Sequence, residues 1–221
     1  GQRWIVKETL KYLPRGSRIL EGGCGIGDKV YALVKEGYKV IGIDYAEKTI
    51  KRIKKIEPDL PVKQADIRTL PFDGNSFDGY WSLGVIEHFQ KGFVDIAVEM
   101  HRVLKNDGYL FVTFPAMSKL RKFKAARGLY PNYVHSKLME EYFYQYALNS
   151  SYVIDEFIGL GFEFIYKKGL NGIKGLSDEI PWVAFPMKVL FKLAYPLTEK
   201  LTRGFANHSD LIVFRKLPSG N

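Results

Sequence analysis

Residues 18–27 read Arg-Ile-Leu-Glu-Gly-Gly-Cys-Gly-Ile-Gly: a short apolar strand, an acid, and a turn crowded with glycine. Glycines at 23, 25 and 27 permit positive φ and leave no side chain between backbone and a ligand. The run from Asp28 to Glu36 reads as a helix whose first amides point at the same spot. Such a turn can build a pocket for a nucleotide-like cofactor from backbone alone. It also serves dinucleotides, nucleotides and purely structural turns, so the rest of the chain has to decide.

Outward from the turn, strand and helix signals alternate. Strands are predicted at 18–21, 39–43, 61–65, 77–83 and 108–114, and helices at 28–36, 46–56 and 93–104, with Asp107-Gly108 turning into the fifth strand. This order predicts a parallel sheet covered by helices on both faces. The cores Val40-Ile41-Gly42-Ile43 and Tyr109-Leu110-Phe111-Val112 are nearly continuous apolar runs, as strands buried on both faces require. Ahead of them, Trp4 to Leu13 has helical spacing and stops at Pro14. Beyond Pro115 a basic, tyrosine-rich stretch runs to about 147. It is followed by a helix near 150–160, a strand at 162–167, a long insertion at 169–208 and a last strand at 211–215.

The 221 residues fit one domain with elaborations, and 46% apolar with 26% charged residues exclude a disordered chain. A net charge of +9 favours an anionic partner or a lysine-rich solvated surface. One cysteine rules out an internal disulfide and fits a reducing cytosol. No N-terminal run of the signal-peptide kind and no membrane-spanning stretch is visible, and the missing initiator Met suggests either leftover leading residues or a truncated start. The expected setting is cytoplasmic, with peripheral contact at a membrane as an option. No zinc-ligand spacing is present, and no metal is expected.

Ligands of open α/β sheets sit at the carboxyl ends of the strands. Here the first strand ends in Glu21, the second in Asp44 and the third in Asp66, while the fourth leads into Ser82-Leu83-Gly84-Val85-Ile86-Glu87-His88. Carboxylates only accept hydrogen bonds, so three in a row match a ligand rich in donors: ribose hydroxyls, an exocyclic amine and an ammonium. A pyrophosphate would meet like charge from Glu21 and Asp66. A cation with adenosine at one end and an amino acid at the other would not.

With these motifs the sequence resembles a class I S-adenosylmethionine-dependent methyltransferase of the type 11 subfamily. The likeness rests on Ile19–Gly27, Gly42-Ile43-Asp44-Tyr45, Ala65-Asp66-Ile67 with Leu70-Pro71-Phe72, Ser76-Phe77-Asp78 through His88, and Arg102–Leu110. It covers about 15–115, and Gly161-Phe162 extends it. Glu21 stands where aspartate is commoner, and Asn106-Asp107-Gly108 replaces a Pro-Gly-Gly turn. The resemblance implies a Rossmann-like three-layer sandwich with a seven-stranded mixed sheet, its last strand antiparallel. It would form a single methyltransferase domain (1–221) with a cofactor core at 14–115 and substrate-determining insertions, forming a lid, at 116–150 and 169–208.

The resemblance implies S-adenosylmethionine as cofactor, held by Glu21, Gly22, Gly23, Cys24, Gly25, Gly27, Asp44, Tyr45, Asp66, Ile67, Ser82, Leu83, Gly84 and His88. The backbone at Gly23 to Gly25 would lie against the methionine part, with Glu21 near its ammonium through water or the loop. Asp44 would take the ribose hydroxyls, and Tyr45 would pack on the adenine. Asp66 would accept from the adenine amine and the Ile67 amide would donate to the ring. Ser82 and Leu83 would offer carbonyls to the ammonium. Cys24 is read as an amide donor with a small side chain, not a nucleophile.

His88 is the candidate general base for an acceptor with a proton to lose, or alternatively a loop-fixing hydrogen bonder, with His135 as a second candidate. His135, Tyr142, Tyr146 and Trp182 are candidate substrate contacts. The basic run Lys119, Arg121, Lys122, Lys124 and Arg127, with tyrosines behind it, could bind RNA or pack as a lid with a solvated face. In the second insertion Trp182, Phe185, Val189, Leu193, Leu197 and Leu201 recur at helical spacing, interrupted by Pro186 and Pro196. That stripe suits a membrane surface, a cap over an apolar acceptor, or packing on the core or a second subunit. The expected activity is methylation, at oxygen first and otherwise at nitrogen or carbon, of a small or amphipathic lipid- or glycan-like acceptor by a monomer or homodimer. The rivals are an RNA methyltransferase, a non-catalytic cofactor-binding module, and an NAD-dependent oxidoreductase, the last without a fitting Tyr-x-x-x-Lys motif.

Overall fold

The computed structural model describes residues 2–130, 137–182 and 195–218. Helix α1 (Arg3–Thr9) precedes β1 (Arg18–Gly22), α2 (Asp28–Lys35), β2 (Lys39–Asp44), α3 (Glu47–Ile56), β3 (Val62–Gln64) and β4 (Phe77–Leu83). A 3-10 turn (Ile86–His88), α4 (Val94–Val103) and β5 (Leu104–Pro115) follow. The second half holds α5 (Lys119–Ala126), α6 (Lys137–Glu141), α7 (Ser150–Gly159), β6 (Phe162–Leu170), α8 (Gly172–Glu179), α9 (Tyr195–Thr202) and β7 (Ser209–Lys216). Among the described residues no helix is long and apolar enough to cross a membrane.

The strands form one seven-stranded sheet in the order β3-β2-β1-β4-β5-β7-β6. The first five run parallel, and β7 is antiparallel to both its neighbours. Alternate residues of the central strands face opposite layers, as the two-residue period of a strand dictates. Leu20, Tyr80, Leu110, Val112, Ile212 and Phe214 pack with α4 and α7, where Ile96, Met100, Val153 and Phe157 are buried. Ile19, Trp81, Phe111, Leu211 and Val213 face α1, α2 and α3 through Ile5, Val30, Leu33, Ile50 and Ile53. Trp81 stacks on Phe111 at 4.3 Å and donates from Nε1 to the Thr9 hydroxyl at 3.1 Å. The tryptophan thereby fixes the N-terminal helix on the sheet.

Several boundaries differ from the sequence reading: β6 and β7 run longer, to Leu170 and over Ser209–Lys216, and three further differences shape the site and its supports. The first helix ends at Thr9, and 10–13 close as turns with Leu13 N donating to Thr9 O. Strand β5 begins at Leu104 instead of 108. Its register against β4 jumps between Phe77 and Gly79, so 105–108 form a bulge, with Asp107 at φ 60°. Lys216 Nζ holds that bulge from β7, donating to Leu104 O, His101 O and Asn75 Oδ1 at 2.8–3.0 Å. Strand β3 stops at Gln64, which leaves Asp66 in the turn beyond it.

The insertions interlock through one carboxylate. Glu179, on α8, accepts from Arg121 Nε at 2.8 Å, Lys124 Nζ at 2.7 Å and the Tyr130 hydroxyl. Although burial opposes it, those hydrogen bonds hold the Glu179 carboxyl at about 2. Two members of the basic run are thus consumed inside the protein and present no free face. Glu199, on α9, accepts from the Gly172 and Ile173 amides at 2.9 and 3.1 Å, capping the N-terminus of α8.

Candidate active site

The glycine turn is pinned to the end of β2. The amides of Gly23 and Cys24 both donate to Ile43 O at 2.8 Å, and the Gly25 amide donates to Asp44 Oδ2 at 2.9 Å. The other Asp44 oxygen accepts from Ala46 N at 2.9 Å, which steadies the entry to α3. Gly23, Gly25 and Gly27 have φ of 78°, 50° and 76°, the left-handed region that favours glycine. A Cβ on Gly25 would meet nothing within 4 Å, so the turn is open on that side. On Gly23 it would stand 2.6 Å from Val85 Cγ2, which brings the loop after β4 directly against the turn.

A cavity of about 580 Å³ lies over these strand ends, a size usual for small-molecule sites. It gathers seven of the residues predicted to hold a cofactor: Gly23, Asp44, Tyr45, Asp66, Ile67, Gly84 and His88. The others stand apart from its lining. Gly22 lets Tyr80 pass beneath the turn, since a Cβ there would be 2.0 Å from the tyrosine oxygen. Cys24 and Ser82 are buried and Leu83 is half-buried in the apolar layer. Gly27 starts α2 and faces Leu60 on the far side of the loop.

Glu21 is 1% exposed, and neither carboxyl oxygen has a hydrogen-bond partner. Burial pushes its carboxyl up to about 8, only partly offset by Lys29 nearby and by the Val30 amide, which points towards it without reaching full hydrogen-bond geometry. A buried carboxyl in that state lacks a donor or a cation. Burial also pushes the Cys24 thiol up to about 12, so it is no thiolate. Asp66 is bound by Arg68, whose Nη2 stands 2.6 Å from Oδ2 and whose Nε is 3.0 Å from both oxygens. Those hydrogen bonds hold the Asp66 carboxyl below its ordinary value.

His88 is exposed at the cavity wall. Its Nδ1 lies 2.7 Å from Tyr144 O, and a carbonyl can only accept, so Nδ1 carries the hydrogen. In the neutral ring Nε2 then holds the lone pair. The two rings meet edge to face at 5.0 Å. Behind them Glu87 is 2% exposed, and burial pushes its carboxyl up to about 7.

Ala65, Arg68, Val85, Phe89 and Tyr144 complete the lining, and the sequence alone assigns none of them to the site. Nothing marks Tyr144 among its neighbouring tyrosines, whereas Arg68, two residues after Asp66, is a readable signal. Of the residues suggested for substrate, Tyr142 is 75% and Trp182 77% exposed, and neither lines the cavity. Tyr146 is half-buried beside it, its amide donating to Glu87 O at 3.0 Å and its hydroxyl to Gln90 O at 3.3 Å. His135 lies outside the described residues, as do Phe185, Val189 and Leu193 of the apolar stripe.

Residues 20–112 match the family model of the methyltransferase domain. The 2-methyl-6-phytyl-1,4-hydroquinone methyltransferase of Synechocystis is 37% identical over 107 residues, 47% of this chain and 33% of that protein. The demethylmenaquinone methyltransferase of Staphylococcus epidermidis is 32% identical over 126 residues, 54% of this chain and 52% of that protein. The matched stretches thus span a third to about half of these relatives. A solved S-adenosylmethionine-dependent methyltransferase of Methanosarcina mazei superposes with a TM-score of 0.68 at 19% identity, over 96% of this chain and 98% of its own, and bears on the fold. The sequence likenesses and the fold agree: residues 20–112 are similar to methyltransferase domains, and the chain has the fold of a solved S-adenosylmethionine-dependent methyltransferase.

Proposed function

We propose that the protein methylates a hydroxyl of a small lipophilic or amphipathic acceptor, with S-adenosylmethionine as donor. The observation that carries this reading is the cavity at the strand ends, where Asp44, Asp66 and His88 meet beside the glycine turn. Asp44 would take the ribose hydroxyls, Tyr45 would cover the adenine, and Asp66 with the Ile67 amide would read its edge. Arg68, which binds both Asp66 oxygens, would have to share them with an adenine amine.

When bound, the cofactor supplies a methyl group already activated on a positively charged sulfur. The chain's own share is to align the acceptor and exclude water. His88, its Nδ1–H tied to Tyr144 O, takes the acceptor's hydroxyl proton on Nε2. A second reading, methylation of a ring carbon, is favoured by relatives named for a hydroquinone and for demethylmenaquinone. In a hydroquinone, loss of the same proton enriches both oxygen and ring carbon, so His88 serves either outcome. Lipophilic acceptors partition into bilayers, and the exposed Leu197 and Leu201 beside Lys200 supply a surface for peripheral contact.

The test incubates the full chain and methyl-labelled cofactor with a panel of hydroquinones, naphthols, sterols and polar catechols, and identifies products by mass spectrometry. Label on the oxygen of a lipophilic acceptor is expected. Turnover of polar acceptors alone would overturn the acceptor class. Absence of calorimetric binding of both S-adenosylmethionine and S-adenosylhomocysteine would overturn the activity.

A further inference from the structure

A second cavity, of about 330 Å³, opens at the same edge of the sheet, beyond β5. Its walls are the starts of α5 and α7, the end of β6, the start of β7 and the segment after α9. Four cations line it, Lys119, Lys122, Lys167 and Arg203, against one carboxylate, Asp210. That carboxylate is buried and already engaged. Its Oδ1 accepts from Asn207 Nδ2 at 2.6 Å, its Oδ2 from the Ser150 hydroxyl, and Lys167 Nζ stands 3.6 Å away. Lys122 Nζ donates to the neutral Asn149 Oδ1 at 3.2 Å. Lys119 and Arg203 have no side-chain hydrogen bond or ion pair among the described residues. An excess of uncompensated cations in a concavity is an anion site in search of its anion.

Two helix starts add to it. Met117 N donates to Leu148 O at 2.9 Å and Leu148 N to Pro115 O at 2.8 Å, which draws the two lead-in segments side by side. Helix α5 then starts from Ser118, whose Oγ accepts from Arg121 N, and α7 from Asn149, whose Oδ1 accepts from Ser151 N. Both positive helix ends open on the cavity.

Arg203 is placed by backbone packing and not by surface chance. A Cβ on Gly169 would stand 2.6 Å from Arg203 O, on Gly172 2.1 Å from Arg203 N, and on Gly175 1.8 Å from Ala206 O. Three glycines at a spacing of three thus form a bare track on which the 203–206 backbone lies directly. Glu199 fastens α9 to the start of α8 just ahead of that segment.

We propose that this cavity binds a phosphate group, with Arg203 and Lys119 as its principal ligands and Lys122 and Lys167 in support. A guanidinium fork matches phosphate oxygens in pairs, and the two helix starts add positive potential. A short stretch of chain links this cavity to the candidate active site. Tyr144 lines one and Asn149 the other, and five residues of chain reach at most about 18 Å. The phosphate then serves as a polar anchor for an amphipathic acceptor, additional to what methyl transfer itself requires. This role rests on the methyltransferase reading, whereas the anion binding does not.

The test titrates the full chain with inorganic phosphate and glycerol 3-phosphate by calorimetry at low and high salt. In parallel the chain is floated with phosphatidylcholine vesicles, with and without phosphatidic acid. Binding of the soluble ions is expected, weakened about tenfold or more by Arg203→Gln and by Lys119→Gln. Cofactor affinity should stay within twofold of wild type (about 0.4 kcal/mol), which also certifies the fold of each variant. Vesicle binding that needs both phosphatidic acid and Arg203 would mark a lipid headgroup as the source. Soluble binding alone would mark a free phosphate ester, and either supports the site. Wild-type protein that binds cofactor but none of these probes, or binding indifferent to both substitutions, would overturn it. Phosphate binding without cofactor binding would instead sink the methyl-transfer reading and leave the site standing.

Discussion

The Asp44 carboxylate, at the tip of β2, accepts the Gly25 amide at 2.9 Å and so ties the second strand to the glycine turn of the first. One side chain therefore shapes the turn before any ligand arrives. Asp44→Ala removes that tie together with the proposed ribose contact. A charge-assisted hydrogen bond contributes about 1.5–3 kcal/mol, so cofactor affinity should fall roughly ten- to hundredfold by calorimetry. Wild-type affinity in the variant would show that Asp44 only caps the turn.

Glu21 predicts an unusual dependence on pH. Its folded carboxyl lies at about 8, well above the ordinary 4.5, so the protonated form is the one the fold tolerates. The stability it contributes is complete below about pH 4.5 and is lost as pH rises towards 8. Glu21→Gln keeps the shape without the charge. Thermal melts should show the variant gaining on wild type between pH 5 and pH 8.5 while binding cofactor more weakly. Parallel pH profiles for the two proteins would refute the assignment.

Glu179 titrates in the opposite sense. Its carboxyl is held at about 2, so the stability it gives is present above about pH 4.5 and is lost as pH falls towards 2. The shift corresponds to about 3 kcal/mol. Glu179→Gln should lower the melting temperature by several degrees at pH 6, and the gap should close near pH 2.5. A gap that persists in acid would mean that packing, not charge, holds the insertions together.

Most of the sheet was legible because its strands are apolar on both faces and end in acids that mark the ligand edge. The bulge in β5 was not, since Lys105-Asn106-Asp107-Gly108 reads as a free turn until Lys216, over a hundred residues later, is seen to hold it. The site was half legible for the same reason. Asp44 and Gly25 belong to one local pattern, whereas Tyr144 reaches the cavity through a single hydrogen bond to His88, 56 residues away. The basic run shows the limit of composition: Arg121 and Lys124 vanish into Glu179, and only Lys119 and Lys122 face the second cavity.

The glycine track predicts a stability change that no hydropathy pattern would suggest. Gly175→Ala puts a Cβ 1.8 Å from Ala206 O and 2.7 Å from His208 N, both backbone atoms that cannot swing aside. Overpacking of this kind costs about 1–3 kcal/mol, or a fall of about 2–12 °C in melting temperature for a chain of this size. Gly159→Ala, at an exposed helical glycine with nothing within 4 Å, is the control and should be neutral or slightly stabilising. Equal melting temperatures for the two variants would mean that the return segment does not lie on the track.

His88 has two separable jobs, and two substitutions part them. His88→Ala removes both the tie to Tyr144 O and the proton acceptor. His88→Asn offers an amide N–H close to the position of Nδ1 and so can keep the tie, but it has no basic nitrogen. Proton removal by a placed side chain is worth about 10²–10⁴-fold in rate, so on any hydroxyl acceptor both variants should lose kcat by that factor, with cofactor affinity nearly intact. Recovery of kcat in His88→Asn would make the residue a positioning group for the loop, its nitrogen lone pair irrelevant to the chemistry. Loss in both would make it the base.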